Sequence, residues 1–404
     1  MRRLDNKSIL IRQFFIEQAY EVLTNQLRFI GFFMDNGRGY VLENKMDQLN
    51  ISVQQIFGEQ EVEIVNFTCE DLDYKTPNFT TAGIFHLQGI ALINHEQLPW
   101  SIILKIIKSD SAEKEDPAHH NYWRREALVF ESKILDELPG SIQAPKCYLV
   151  EEQVDGTVWL WMERIEGQFA HTKEQFDIIA ERLGRFNGAY LSGKNTPNDQ
   201  WICRSWLRSW TTSSIMYAPN PEEYIHHLHR DNDQSLWAWF QGFMKRIDNN
   251  LNALHRLPRV LAHQDLSQMN ILLTQNGELV LIDWQFMSLS GLGEDLGKMF
   301  GVNMSLGVIP IDRYEEFKES LFHSYIKGLK ASGWQGDESL ARYGYCLSTA
   351  LRSVWEVPQY FSLSTQLCAD SDYLKLQDRV ARLEQIINIQ REMAEECSTL
   401  KAYR

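Results

Sequence analysis

The spacing of apolar residues changes along the chain, and this change restricts the fold more than any other feature of the sequence. Over residues 60–164 apolar and polar residues alternate in short segments, which is typical of half-buried strands. Helical spacing over 118–138 predicts one helix within this region. Because Asp155-Gly156 favours a hairpin turn, we expect the last two strands to pair directly. The predicted strands lie near residues 62–67, 84–93, 102–107, 146–151 and 157–164.

From Gly167 onward the apolar spacing is mostly that of helices. Thr172 followed three residues later by Gln175 is the pattern of a capping box, which predicts that a helix begins there. A short strand-rich segment interrupts the helices at 259–285. This order predicts an α+β fold with two lobes, a small antiparallel sheet with one helix and a larger, mainly helical lobe. The predicted divisions are a helical extension at 1–55, a first lobe at 56–166 and a second lobe at 167–404.

Charge and composition exclude several classes of protein. The 404 residues include 54 acidic and 40 basic side chains, and the net charge of −14 argues against a large non-specific nucleic-acid surface. No apolar run approaches the roughly 18 residues of a membrane span, and Glu17 and Glu21 interrupt any signal-peptide core. The six cysteines form no C-x-x-C pair, so no zinc cluster or disulfide framework is predicted. We expect a cytoplasmic protein without a membrane or nucleic-acid partner.

The predicted extension at 1–55 could have either of two roles, contact in a homodimer or a cover on the first lobe.

The segment that carries chemistry contains His263-Gln264-Asp265, then Asn270, and then Asp283. Two short apolar strands are predicted at 271–274 and 279–283, so the oxygen-bearing groups lie at loop–strand junctions of one unit. An acid at the end of a buried strand needs a partner or a cation, because a desolvated charge is costly. Hard cations such as Mg²⁺ take such oxygen ligands.

The spacing H-x-D-x-x-x-x-N, followed by an apolar strand that ends in Ile282-Asp283-Trp284, resembles the aminoglycoside phosphotransferase and choline kinase family. The Glu294-Asp295-Leu296 stretch is also similar to that family, in which an acid braces the metal loop. The resemblance covers roughly residues 60–360 and implies a protein-kinase-like fold.

The resemblance implies roles for the matching residues. Asp265 would accept or orient the proton of a substrate hydroxyl, Asn270 and Asp283 would hold Mg²⁺, and His263 would support the loop. The implied activity is transfer of the γ-phosphate of MgATP to a small-molecule hydroxyl, as in an aminoglycoside or another amine or sugar alcohol. A catalytically idle, kinase-like nucleotide-binding protein is the alternative. A protein kinase is disfavoured because the G-x-G-x-x-G, D-F-G and A-P-E motifs are missing.

The first lobe should supply the remaining nucleotide contacts. Lys105 lies inside an apolar strand and would face the α- and β-phosphates, paired with Glu126 on the apolar side of the predicted helix; the alternative is that both are solvated side chains at the edge of the apolar stripe. The turn at 76–83 ends in Gly83 and is either a phosphate-facing turn or a plain hairpin turn. Further along the chain, a linker resembles the adenine-binding hinge of the family; its backbone groups are those of Met162, Glu163 and Ile165.

The sequence does not identify the molecule that accepts the phosphoryl group. Aminoglycosides, other antibiotics, choline-like amines and sugars all remain as acceptor classes. Acids over residues 222–233 are either an amine-binding set or a solvated helix face; they are Glu222, Glu223, Asp231 and Asp233. Gly297-Lys298 lacks the upstream glycine of a Walker A loop, so Lys298 receives no role from the sequence.

Overall fold

A computed structural model describes residues 45–72, 80–228, 230–367 and 373–400. The chain divides into two compact units. The first consists of the described residues up to Ala112 together with Pro145–Ile165, and the second consists of Glu113–Ala144 and the described residues from Glu166 onward. The predicted divisions after residues 55 and 166 stay predictions. Residues 1–44 lie outside the described part, and so does the predicted homodimer contact.

The first unit is an antiparallel sheet with a helix packed on it, which confirms the strands predicted from the alternating pattern. Within the described residues the strands follow the order β1-β2-β3-β5-β4. Strand β2 begins earlier than predicted because Thr81 pairs with Ile107, and Gly156 in the last hairpin has a φ of 82°. The elements are α1 (Met46–Phe57), β1 (Glu63–Asp71), β2 (Thr81–Ile93), β3 (Glu96–Ile107), β4 (Cys147–Glu152) and β5 (Val158–Glu163).

Helix α1 covers the apolar face of this sheet. Leu49 and Val53, one helical turn apart, are buried in the cluster that contains Trp100 and Trp161 of the sheet. The helix crosses residue 55, so the last residues of the predicted extension belong to the packing of the first unit. Of the two roles predicted for the extension, its described part has the role of a cover.

The second unit is mainly helical and contains two small sheets, β6-β8-β9 and β7-β10. Thr172 and Gln175 form the predicted capping box. The strands of the second unit are β6 (Gln168–Phe169), β7 (Arg259–Ala262), β8 (Ile271–Leu273), β9 (Leu279–Leu281) and β10 (Ser288–Gly291). Its helices are α2 (Arg125–Glu131), α3 (Lys173–Leu191), α4 (Trp206–Tyr217), α5 (Glu222–Ile225), α6 (Asp231–Met244), α7 (Ile247–His255), α8 (Glu294–Ser305), α9 (Tyr314–Ala331), α10 (Glu338–Leu351), α11 (Ser353–Gln366) and α12 (Tyr373–Thr399).

The helix predicted over 118–138 is shorter than expected. Helix α2 begins only at Arg125, and Lys133 has a φ of 59° that ends the helical run before a short 3₁₀ turn at Ile134–Glu137. The buried Arg125 guanidinium donates hydrogen bonds to the carbonyl groups of Pro117, His119 and His120, at 2.8 Å each. The Arg125 side chain thus satisfies these carbonyl groups outside a regular helix, and that of His119 also accepts a turn hydrogen bond, of 3.2 Å from the Tyr122 N–H.

Helices α3 and α9 pack closely and hold the strand that leads to the site. A Cβ atom on Gly328 would lie 1.9 Å from the Glu181 carbonyl oxygen, so the two backbones approach as closely as glycine allows. Asn187 of α3 donates a 2.9 Å hydrogen bond to the Leu261 carbonyl of β7 and accepts one of 2.7 Å from the Tyr325 hydroxyl of α9. Strand β7 is thus fixed by both helices. None of the helices within the described ranges is long and apolar enough to cross a membrane.

Candidate active site

The loop after β7 is held in place by helix α8. The Asp295 carboxylate accepts hydrogen bonds of 2.8 Å from the backbone N–H groups of His263 and Gln264. Asn303, two turns further along α8, accepts a 2.7 Å hydrogen bond from the Gln268 N–H and donates one of 2.9 Å to the Leu266 carbonyl. Both side chains are buried, and burial raises the pKa of Asp295 to about 6 against the lowering effect of its two N–H donors.

His263 is a neutral support of this loop. Its Nδ1 accepts a 3.2 Å hydrogen bond from the Asp265 N–H, so its Nε2, 3.0 Å from the Ile282 carbonyl, carries the proton. Burial lowers the pKa of His263 to about 4. The ring also meets Trp284 edge-on at 4.6 Å. With both nitrogens engaged, His263 ties the loop to the end of β9, as expected of a support rather than a base.

Asp265 and Asn270 lie together on this loop, as the sequence predicts. Asn270 Nδ2 donates to Asp265 Oδ2 at 2.9 Å and to the Asp265 carbonyl at 3.0 Å. The backbone of Asn270 in turn accepts a 3.1 Å hydrogen bond from the Ile282 N–H. The Asp265 side chain is 23% exposed, so it is oriented by the protein yet reachable from outside.

Asp283 lies two residues after β9, which ends at Leu281. Its φ of 64° is in the left-handed region, as is the φ of 61° of Gln264 in the loop after β7. Such a conformation costs a non-glycine residue on the order of 1–3 kcal/mol and is often found at functional sites. The negative charge of Asp283 partly opposes the lowering of the His263 pKa.

The donor set fits a magnesium ion. Asn270 uses its Nδ2 for Asp265, and in the described part of the chain no hydrogen bond engages its Oδ1. No group of three or more His, Cys, Asp or Glu residues that could hold a metal is found in the described ranges. Mg²⁺ commonly takes only one or two protein oxygen ligands, together with phosphate oxygens and water. Asn270 and Asp283 therefore match its needs, and their role as metal ligands stays a prediction.

Lys298 also lies at this site, although sequence reasoning assigned it no role. Its Nζ is 3.9 Å from Asp265 Oδ1 and 4.9 Å from the centroid of the Trp206 ring. Burial lowers the pKa of Lys298 to about 8. One signal could have identified it. Lys298 comes three residues after Asp295 and five before Asn303 on one face of α8, so these polar side chains point toward the same loop.

The predicted nucleotide contacts of the first unit stay predictions. Lys105 is buried in β3, opposite Ile84 of β2 and Leu160 of β5. Glu126 is buried in the first turn of α2, which belongs to the second unit, so the Lys105–Glu126 pair is still a prediction. Gly83 lies within β2 beside a register irregularity, and residues 76–79 of its predicted turn are outside the described residues.

The predicted hinge residues lie at the end of β5. Met162 is buried between Ile103 and Cys147 in the sheet. Glu163 donates its N–H to the Lys146 carbonyl at 2.8 Å, and its carboxylate accepts a 3.1 Å hydrogen bond from the Lys146 N–H. Ile165 is the last residue of the first unit. Recognition of adenine by this backbone stays a prediction.

The acids over residues 222–233 do not form one set. Glu222, Glu223 and Asp231 are exposed. Asp233 is fully buried, where it accepts hydrogen bonds from Arg230 Nε at 2.9 Å and from the Tyr360 hydroxyl at 2.6 Å. Asp233 is therefore a structural residue of the helical packing.

The chain matches one protein family and is similar to several solved structures. Residues 96–336 match the phosphotransferase enzyme family. No curated protein sequence matches the chain. Similar solved structures include amicoumacin kinase hAmiN in complex with AMP-PNP, Ca²⁺ and Ami (16% identity, 80% of this chain and 88% of that chain, TM-score 0.49). The GDP complex of aminoglycoside 2′-phosphotransferase-IIIa is 16% identical, covers 85% of this chain and 99% of that chain, and has a TM-score of 0.45. The Plasmodium vivax ethanolamine kinase is 11% identical, covers 80% of this chain and 81% of that chain, and has a TM-score of 0.44. Because the family match spans more than half of the chain and contains the whole loop from His263 to Asp283, this chain belongs to the phosphotransferase enzyme family.

Proposed function

We propose that the protein is a small-molecule kinase that transfers the γ-phosphate of MgATP to a hydroxyl group of its acceptor. The observation that carries this proposal is the placement of Asp265. Its carboxylate is oriented by Asn270 at 2.9 Å, its backbone is fixed by the neutral His263, and its side chain is 23% exposed. A carboxylate held in this way can align a hydroxyl for attack, which is most of what phosphoryl transfer asks of a protein.

Asp265 is the catalytic residue in this proposal. The acceptor hydroxyl would donate to the Asp265 carboxylate, which orients the oxygen for attack and takes its proton as the new P–O bond forms. The bond between the γ-phosphorus and the bridging oxygen breaks, and ADP leaves. His263 takes no part in proton transfer, because one nitrogen accepts from the Asp265 N–H and the other donates to the Ile282 carbonyl.

The remaining residues would bind the nucleotide. Asn270 and Asp283 would hold Mg²⁺, which when bound neutralises phosphate charge. Lys105, paired with Glu126, would face the α- and β-phosphates, since a buried ammonium needs an anionic partner. We assign Gly83 to the cover of the phosphates, and the backbone of Met162, Glu163 and Ile165 to adenine.

The experiment uses the purified full-length chain with MgATP and a panel of acceptors: aminoglycosides, other hydroxylated antibiotics, choline-like amino alcohols and sugars. ADP release is followed with each acceptor in the wild type and in Asp265→Asn. Loss of the carboxylate should lower the acceptor-dependent rate about 10²- to 10⁴-fold, because a positioned base is removed.

Asp312→Asn is the matched control, since Asp312 is exposed and lies in the short 3₁₀ turn before α9. This variant should keep the wild-type rate. If Asp265→Asn retains full acceptor-dependent activity, the assignment of Asp265 is wrong. If the wild type binds MgATP but no acceptor supports turnover, an idle nucleotide-binding protein becomes the better account.

A further inference from the structure

Lys298 is a buried cation beside the proposed catalytic carboxylate, and the family motifs leave it without a function. We propose that Lys298 contacts the phosphoryl group during its transfer and stabilises the negative charge on its oxygens. This inference rests on the proposed kinase function and adds a catalytic residue to it. It uses only residues of the second unit, chiefly Lys298, Asp265, Asn270 and Trp206.

The helix that supports the loop also presents the lysine to it. Asp295 in the first turn of α8 binds the N–H groups of His263 and Gln264. Lys298, three residues later on the same helix, brings its Nζ to 3.9 Å from Asp265 Oδ1. Because α8 fixes both the loop and the lysine, the ammonium is placed relative to Asp265 before any substrate binds.

Lys298 is not needed to hold Asp265. The other carboxylate oxygen, Oδ2, already accepts a 2.9 Å hydrogen bond from Asn270, and the Asp265 N–H is bound to His263. The 3.9 Å separation between Lys298 Nζ and Oδ1 is too long for a hydrogen bond. A purely structural ion pair would be expected to close this distance.

The ammonium has an unusual environment. The Lys298 side chain is only 13% exposed, and in the described part of the chain no hydrogen bond engages its Nζ. The face of the Trp206 ring at 4.9 Å offers a cation–π contact, which tolerates a positive charge without supplying an acceptor. Trp206 itself is fixed by Phe286 at 5.6 Å and by His120 at 5.8 Å between ring centroids. The ammonium is thus held beside Asp265 without an acceptor within hydrogen-bond distance among the residues that the structure describes.

A phosphoryl group in transfer supplies the acceptors that this ammonium lacks. As the acceptor oxygen attacks, the bond from the γ-phosphorus to the bridging oxygen of ATP breaks, the new P–O bond forms, and the hydroxyl proton passes to Asp265. Negative charge is spread over the three other oxygens of the phosphoryl group during this step. Lys298 Nζ lies 3.9 Å from Asp265 Oδ1, and in this proposal the phosphoryl group whose acceptor Asp265 orients lies on the side of the carboxylate that faces the ammonium. Lys298 remains protonated throughout and exchanges no proton.

The test compares Lys298→Met, which keeps an unbranched side chain without the charge, with Lys298→Arg and the wild type. Lys245→Met is the matched control, because Lys245 is exposed and forms no ion pair with the described residues. Binding of MgADP is measured with and without fluoroaluminate, a mimic of the phosphoryl group in transfer, alongside kcat and KM. Thermal unfolding of each variant reports whether it is folded.

We expect Lys298→Met to bind MgADP within about twofold of the wild type but to lose most of the added affinity that fluoroaluminate provides. Its kcat should fall on the order of 10²-fold, as when one preorganised donor is removed from a transition state. Lys298→Arg should recover part of both effects, and Lys245→Met should match the wild type. A merely structural lysine would change thermal unfolding without changing the ratio of fluoroaluminate to MgADP affinity.

Three results would overturn the inference. The first is a kcat and a fluoroaluminate effect in Lys298→Met within about threefold of the wild type. The second is a raised acceptor KM with unchanged kcat, which would assign Lys298 to acceptor binding. The third is loss of activity only in proportion to unfolded protein, checked with Lys298→Gln if the methionine variant is unstable. Failure of the wild type to bind or turn over MgATP would instead refute the proposed function, and the inference with it.

Discussion

Acidification should destabilise this protein through His263, whose ring is fully buried and neutral. Burial lowers its pKa from 6.5 to about 4, so the folded state resists a proton that the unfolded chain accepts. Below pH 6.5 the unfolded state therefore binds more protons than the folded state, and stability falls as the pH falls toward 4. Between pH 7.5 and pH 4.5 this single group should remove about 2–3 kcal/mol from the free energy of unfolding.

His263→Gln isolates this contribution, because it removes the titrating ring while leaving the other ionisable groups in place. Urea unfolding of both proteins at pH 7.5, 6.5, 5.5 and 4.5 gives the difference in unfolding free energy at each pH. At pH 7.5 the wild type should be more stable by about 1–3 kcal/mol, since the variant disturbs two buried hydrogen bonds. That advantage should shrink by about 2–3 kcal/mol at pH 4.5. A difference that stays constant within about 0.5 kcal/mol over this range would refute the buried, neutral histidine.

Two further predictions concern the support of the site, and each is measured by urea unfolding at pH 7.5. Asp295→Asn should lower the free energy of unfolding by about 1–3 kcal/mol, because the two loop N–H groups donate to different carboxylate oxygens and an amide has only one oxygen. An unchanged value would contradict the role of Asp295 in holding the loop. Gly328→Ala should lower it by about 1–3 kcal/mol or more, since the added methyl group would lie 1.9 Å from the Glu181 carbonyl oxygen. Gly242→Ala is the control, because Gly242 lies within a helix and the nearest atom to an added Cβ would be 3.8 Å away. This variant should raise the free energy of unfolding by about 0.5–1 kcal/mol. Equal effects at both glycines would argue against close packing of α3 and α9.

Local patterns in the sequence were enough to predict the sheet of the first unit. Alternation located its strands, Asp155-Gly156 located the last hairpin, and Thr172 with Gln175 located the start of α3. These features depend on residues close in the chain, so one sequence contains the information. Strand β10 was missed because Ser-Leu-Ser-Gly is short and contains a single apolar residue, and it becomes a strand through its pairing with β7.

The errors come from contacts between distant residues. The spacing over 118–138 is helical, but Arg125 binds the carbonyls before it and also reaches Trp201 and Gln285, so tertiary hydrogen bonds replace helical ones. Lys298 belongs to no sequence motif that predicts its position. Its proximity to Asp265 arises because α8 packs against a loop more than thirty residues earlier in the chain. The spacing of Asp265 and Asn270 was informative because both lie on one short loop.

The most direct test of the account is the mass of the acceptor after incubation with MgATP and the purified protein. The account predicts that one acceptor of the panel gains a single phosphoryl group, with one ADP formed for each acceptor modified, and that Asp265→Asn reduces this yield about 10²- to 10⁴-fold at equal protein and time. An acceptor that gains a phosphoryl group equally well with Asp265→Asn, or ADP formation that never yields a phosphorylated acceptor, would contradict the account.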